Sequence, residues 1–169
     1  MAAEPLLQGL DKKQTRLAGK MLDELAKGEG LKALHKLGTR DMEAIYGMAR
    51  SLYQNGRYDR ARSAFQFLCL FDHMEPRWWV GLGAAMQRLK DYQGAARAYA
   101  YSILLDDTNP TPQLHAGYCL MNLGEYEEAQ SVLEDAVLAA QREPKHAQCK
   151  AQAQALLAVV QAKSKEAQA

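Results

Sequence analysis

Apolar residues recur along this chain every three or four positions, and nowhere in the strict alternation of a half-buried strand. Through QTRLAGKMLDELAKGEG the apolar positions Leu17, Met21, Leu22 and Leu25 share one helical face, and Gly28 and Gly30 end the pattern. A short second helix is expected through Leu31, Leu34 and Leu37. From residue 42 a longer period takes over. Pro76, Pro110 and Pro144 stand 34 residues apart, as do Ala61, Ala95 and Ala129, and Tyr58, Tyr92 and Tyr126. The segments around these tyrosines read NGRYDRA, LKDYQGA and LGEYEEA.

Three ladders with one period of that length predict tetratricopeptide units, each a pair of helices joined by a short turn. Gly56 and Gly124 fall in the turn, where a positive φ is often needed, and Lys90 stands there in the middle unit. The tyrosine after the turn opens the second helix. The alanine three residues on is small because two backbones approach there. Phe65, Tyr99 and Leu133, four residues further, put a large side chain on the same face. The prolines open the next unit, where a missing N–H does least harm. The small first-helix position reads Ala49, Gly83 and Gly117, and Trp79 takes the position held by Ile45 and Gln113 in the other units. The expected fold is all-α: a right-handed superhelix of three helix pairs at 42–75, 76–109 and 110–143. An N-terminal helical region, residues 1–41, precedes them and must bury its apolar face on the first unit or on a second copy. A C-terminal capping helix and tail, residues 144–169, follows.

In such a solenoid the first helices line a concave face. The expected lining is Tyr46, Arg50 and Tyr53 in the first unit, Val80, Ala84 and Gln87 in the second, and Leu114, Tyr118 and Met121 in the third. This set is apolar and aromatic, with only Arg50 and nearby Asn122 to meet a charged ligand. A groove of that character suits an internal, extended peptide with small apolar anchors. Tyrosines add rigid contact area and a hydroxyl for the peptide backbone.

Composition narrows the function further. The net charge of +1 conceals a basic N-terminal 40 residues at +3, a body at −5 over 41–143, and a basic C-terminal stretch at +3. An acidic body argues against nucleic-acid binding there, and the arms are too weakly basic to claim a nucleic acid or a membrane. No apolar run approaches the roughly 20 residues needed to cross a bilayer, and Met1 to Leu10 lacks the pattern of a cleavable secretion signal, so a cytosolic protein is expected. Cys69, Cys119 and Cys149 are dispersed and odd in number, which reads as buried small residues and neither a disulfide framework nor a zinc site. His35, His73, His115 and His146 are isolated, and the paired acids Asp106/Asp107, Glu127/Glu128 and Glu134/Asp135 read as surface or turn charges. Of Trp78 and Trp79, adjacent on a helix, one is expected in the core and the other at the surface or an interface. No enzymatic activity, cofactor or metal is expected.

One stretch carries more than the repeat demands. EAIYGMARSLYQNGRYDRARSAFQFLCLFDH and WWVGLGAAMQRLKDYQGAARAYAYSILLDD resemble the class II chaperones of bacterial type III secretion translocators. The Tyr46–Tyr53 pair, the GRY turn, the AFQFLCLFDH end, GLGA and AYAYS carry the likeness, with the lead-in GEGLKALHKLGTRDMEAIY, over about residues 28–145. The resemblance implies a cytosolic export chaperone that keeps two hydrophobic translocators soluble and apart before secretion. The client would lay an extended N-terminal segment with a proline–leucine–proline type motif in the groove. Matching positions add His73, Tyr99 and Tyr101 to Tyr46 and Tyr53 as groove residues, although Tyr99 is a helix-packing residue by repeat position. The family also implies a homodimer through the N-terminal region and, in some members, a transcriptional activator as partner. The chain departs from the family in its near-neutral charge and in Arg50, where relatives are often apolar or aromatic. The alternative is a general tetratricopeptide scaffold or adaptor, or a co-regulator of such an activator.

Overall fold

The computed structural model describes residues 38–167, and among them every regular element is helical. Seven α-helices follow in order: α1 (Thr39–Gln54), α2 (Tyr58–Phe71), α3 (Pro76–Arg88), α4 (Tyr92–Leu105), α5 (Pro110–Leu123), α6 (Tyr126–Gln141) and α7 (Ala147–Ala167). A 3-10 turn, Pro144–His146, leads into α7. The helices and dimer contact expected before Gly38 lie outside the described residues.

The chain divides into two compact units, one ending at His73 and one beginning at Met74. In the first, α1 and α2 pair, burying Met42, Ile45, Ala49 and Leu52 of α1 with Ala61, Phe65, Leu68 and Cys69 of α2. In the second, each helix from α3 to α7 packs on the next, and α7 also reaches α5. One cluster there joins Ala95 and Tyr99 of α4 to Ala116 and Cys119 of α5. Another joins Leu114, Leu133 and Ala136 to Cys149, Ala153 and Val160, so α7 closes the apolar face that α6 leaves open.

The turn inside each pair has one construction. Gly56, Lys90 and Gly124 take positive φ of 73°, 63° and 83°. The following N–H then reaches back to the last turn of the first helix: Arg57 to the Leu52 carbonyl at 2.9 Å, Asp91 to Met86 at 3.0 Å, and Glu125 to Leu120 at 3.0 Å. This is the Schellman closure, which satisfies a carbonyl the helix end would leave unpaired. Lys90 adopts it against the steric preference of a side chain, so the closure dictates the backbone there.

Helix starts are equally local. Pro76 and Pro110 sit in the first turns of α3 and α5. Glu75 accepts from the Arg77 N–H at 3.2 Å, and Asn109 from Thr111 at 3.1 Å. Asp91 caps α4 by accepting from the Gly94 N–H at 2.9 Å. A Cβ at residue 94 would lie 2.5 Å from the Asp91 carboxylate, so glycine there leaves the cap its place.

The small-residue register of the first helices is a close approach. A Cβ on Gly83 would come within 2.8–3.0 Å of three ring carbons of Tyr99, and one on Gly117 would collide with the Leu133 side chain. Ala49, Phe65, Tyr99 and Leu133, all at these two registers, are buried. All three cysteines are free and buried, and burial pushes the Cys69 and Cys119 thiols up to about 12.

Candidate functional site

The expected lining residues recur at i, i+4 and i+7 on each first helix, one face of about two turns. On α1, Tyr46 and Tyr53 are partly exposed and Arg50 is exposed. Aromatic residues of α2 hold both tyrosines from behind: Phe65 meets the Tyr46 ring edge-on at 6.1 Å, and Tyr58 meets Tyr53 at 5.3 Å. The Arg50 guanidinium lies over the Tyr46 ring, 5.8 Å from its centre. This leaves a fixed aromatic face on the first unit, with the Arg50 guanidinium stacked on one of its rings. His73 is exposed just beyond the end of α2.

In the second unit Val80, Ala84 and Gln87 are partly exposed on α3, and Tyr118 and Met121 on α5. Tyr118 packs edge-on against Tyr92 at 6.2 Å. Loss of water first, and then the adjoining Tyr118, hold the Tyr92 phenol above its ordinary value. Asn122 turns its amide back to donate to the Tyr118 carbonyl at 2.8 Å. Neither polar group expected near the groove is therefore part of a carboxylate-binding cluster.

Two expected groove residues are core residues. Leu114 is buried with Ala129, Leu133 and α7. Tyr99 is 0% exposed. Its ring lies between Gly83 and His115, stacked on the imidazole at 5.5 Å and 18°, and its hydroxyl donates to Gln87 Oε1 at 2.8 Å. Tyr99 thus stands behind the face and touches it through Gln87, as its helix-packing register requires. Burial pulls the His115 imidazole below its ordinary value and keeps it neutral near pH 7. Tyr101 is 53% exposed and lies flat on Trp79, ring centres 4.5 Å apart. The tryptophans divide as the helical period demands: Trp78 is buried, and Trp79 is the partly exposed one.

Sequence reasoning missed one feature. Each second helix exposes a leucine at the same register: Leu70 at 77%, Leu104 at 83% and Leu138 at 60%. Their 34-residue spacing was visible, but period alone does not separate an outward position from an inward one.

Among the described residues no three His, Cys, Asp or Glu side chains come together as a metal-holding group, and no helix is long and apolar enough to cross a membrane.

Two tetratricopeptide-repeat family models match the chain, over residues 46–110 and 86–155. The low calcium response locus protein H of Yersinia pestis is 36% identical over 113 residues, 66% of this chain and 67% of its own length. The crystal structure of PcrH in complex with the chaperone binding region of PopD superposes with a TM-score of 0.74 at 35% identity, covering 76% of this chain and 97% of PcrH. The Yersinia enterocolitica type III secretion chaperone SycD, solved in complex with a peptide of the translocator YopD, gives 0.72 at 31% identity, covering 76% and 98%.

Proposed function

The chain belongs to the tetratricopeptide-repeat chaperones of type III secretion translocators, and we propose that it holds an extended N-terminal segment of hydrophobic translocators before export. The observation that carries this is that the first helices of each unit present partly exposed tyrosines and apolar residues, Tyr46 and Tyr53 backed by α2 in the first unit and Val80, Tyr118 and Met121 in the second, with no clustered charge among these described residues. The residues proposed to contact the segment are Tyr46, Arg50, Tyr53 and His73 within the first unit, and Val80, Ala84, Gln87, Tyr101, Tyr118 and Met121 within the second. We divide the chain into an N-terminal region over 1–41, repeats over 42–143 that carry these residues, and a C-terminal helix and tail over 144–169.

The work is binding without bond-making, and it takes place in the bacterial cytoplasm. A translocator exposes apolar segments that aggregate or insert early unless covered. Each apolar anchor taken out of water contributes about 1.5–3 kcal/mol. Three or four anchors supply about 4.5–12 kcal/mol gross, from which the cost of association and of ordering the segment is subtracted. A client rich in proline is partly extended before it binds, which lowers that cost.

The test is a pull-down of the chain from its native cells, with mass spectrometry of the bound proteins and a peptide scan of the dominant one. A hydrophobic translocator captured through a short segment near its N-terminus is the expected result. A set of folded soluble proteins with no such segment would overturn the chaperone reading in favour of an adaptor.

A further inference from the structure

We infer that Gln87 is the residue that reads the main chain of the bound segment, donating from Nε2 to a backbone carbonyl, and that Tyr99 sets it up to do so. This rests on the groove proposed above and names the chemistry of one contact within it.

A glutamine amide has an acceptor end and a donor end, and alone on a surface it turns either way. In this structure the Tyr99 hydroxyl donates to Oε1 at 2.8 Å, which ties that end of the amide to the buried ring and leaves Nε2 as the untied end. Gln87 Nε2 makes no hydrogen bond within the described residues. Tyr99 cannot swing to release the amide, because its ring is fully buried against Gly83 and stacked on His115. The donor is therefore set before any ligand arrives, and pre-set donors lose little freedom on binding.

The surroundings make that donor count. Val80 and Ala84 below it on α3, and Met121 on α5, offer no hydrogen-bonding groups beyond a thioether. Tyr118 is engaged with Tyr92. An extended segment lying here would bury carbonyls against an apolar wall, and a buried carbonyl without a donor is costly. Every residue of such a segment keeps its carbonyl, whereas proline gives up its N–H. A single fixed donor thus fits an extended main chain whatever its side chains.

The test measures binding of a fluorescent peptide, the chaperone binding region of PopD, by anisotropy, with helix content and melting recorded for each variant. Loss of one such hydrogen bond in Gln87→Leu should weaken binding about 3- to 10-fold. Gln87→Glu still accepts from Tyr99 but turns a carboxylate toward the carbonyl, and should weaken binding by more than about 10-fold. Tyr99→Phe keeps the buried ring and should weaken binding in the parent, yet change nothing when added to Gln87→Leu. If both Gln87 variants bind like the parent while Tyr118→Ala binds poorly, the donor role is overturned and the groove stands. If Tyr99→Phe has the same effect in both backgrounds, its positioning role is overturned. If the parent fails to take the peptide, or Tyr118→Ala and Met121→Ala bind as tightly as the parent, the groove itself falls and this contact with it.

Discussion

Adding one methyl group should have opposite effects at two helical glycines. Among the described residues, nothing lies within 4 Å of where a Cβ on Gly47 of α1 would sit. Alanine there gains only the helix preference over glycine, about 0.5–1 kcal/mol. Gly83 on α3 would place the same Cβ 2.8, 2.9 and 3.0 Å from three Tyr99 ring carbons, where ordinary contact begins at 3.4 Å. Something must move by about half an ångström, in an interior that is close-packed. The ring cannot, since His115 stacks on it and Gln87 holds its hydroxyl. Overpacking of this kind costs about 1–3 kcal/mol. Set against the helix gain of about 1 kcal/mol, Gly83→Ala comes out neutral to about 2 kcal/mol less stable. Urea unfolding followed by helix content should show a raised midpoint for Gly47→Ala and a lowered or unchanged one for Gly83→Ala. Tyr99→Leu, which vacates the ring's place, should add less than its own cost when combined with Gly83→Ala. A midpoint raised equally by both alanines would refute the wedge, and with it the claim that Tyr99 is immobile.

Three further outcomes follow from single side chains. Lys90→Gly relieves a left-handed lysine, φ 63°, and should raise stability by about 0.5–1 kcal/mol, after glycine's larger unfolded-state entropy, seen as a higher urea midpoint. His115 is held below its ordinary value by burial, so the unfolded chain takes up its proton first. The stability it contributes is present above about pH 6.5 and declines as pH falls below that. His115→Phe should flatten the fall in melting temperature between pH 7.5 and pH 5.5. The buried thiols of Cys69 and Cys119, held up to about 12, should resist alkylation until the chain is unfolded, which mass spectrometry with and without urea will show.

The helix pairs were legible because their signals are local and repeated. A proline opens α3 and α5, a residue at positive φ closes each first helix, and a small residue faces a large one across the pair. Even Lys90 could be placed in the left-handed turn from its register alone, since the closure requires that backbone whatever the side chain. The proposed binding face was legible only in part. Tyr46 and Tyr53 stand at lining registers and are partly exposed. Leu114 stands at a lining register too, yet α7 and α6 cover it, and no local signal shows what a terminal helix will cover. Tyr99 and Tyr101 stand two residues apart and so point to nearly opposite sides of α4, one core and the other surface. The Tyr99–Gln87 bond spans twelve residues and two helices, which pattern alone does not reveal. Exposed Leu70, Leu104 and Leu138 kept the period while facing outward.

That contrast between faces supplies the most direct measurement. A photo-crosslinking amino acid is placed in turn at Arg50, Tyr53, Ala84 and Tyr118 on the first helices, and at Leu70, Leu104 and Leu138 on the second. Each variant is irradiated with the translocator segment bound. Crosslinks from the first-helix positions and none from the leucines would bear out a client held on the tyrosine-lined face. Crosslinks from the leucines with none from the first helices would contradict it.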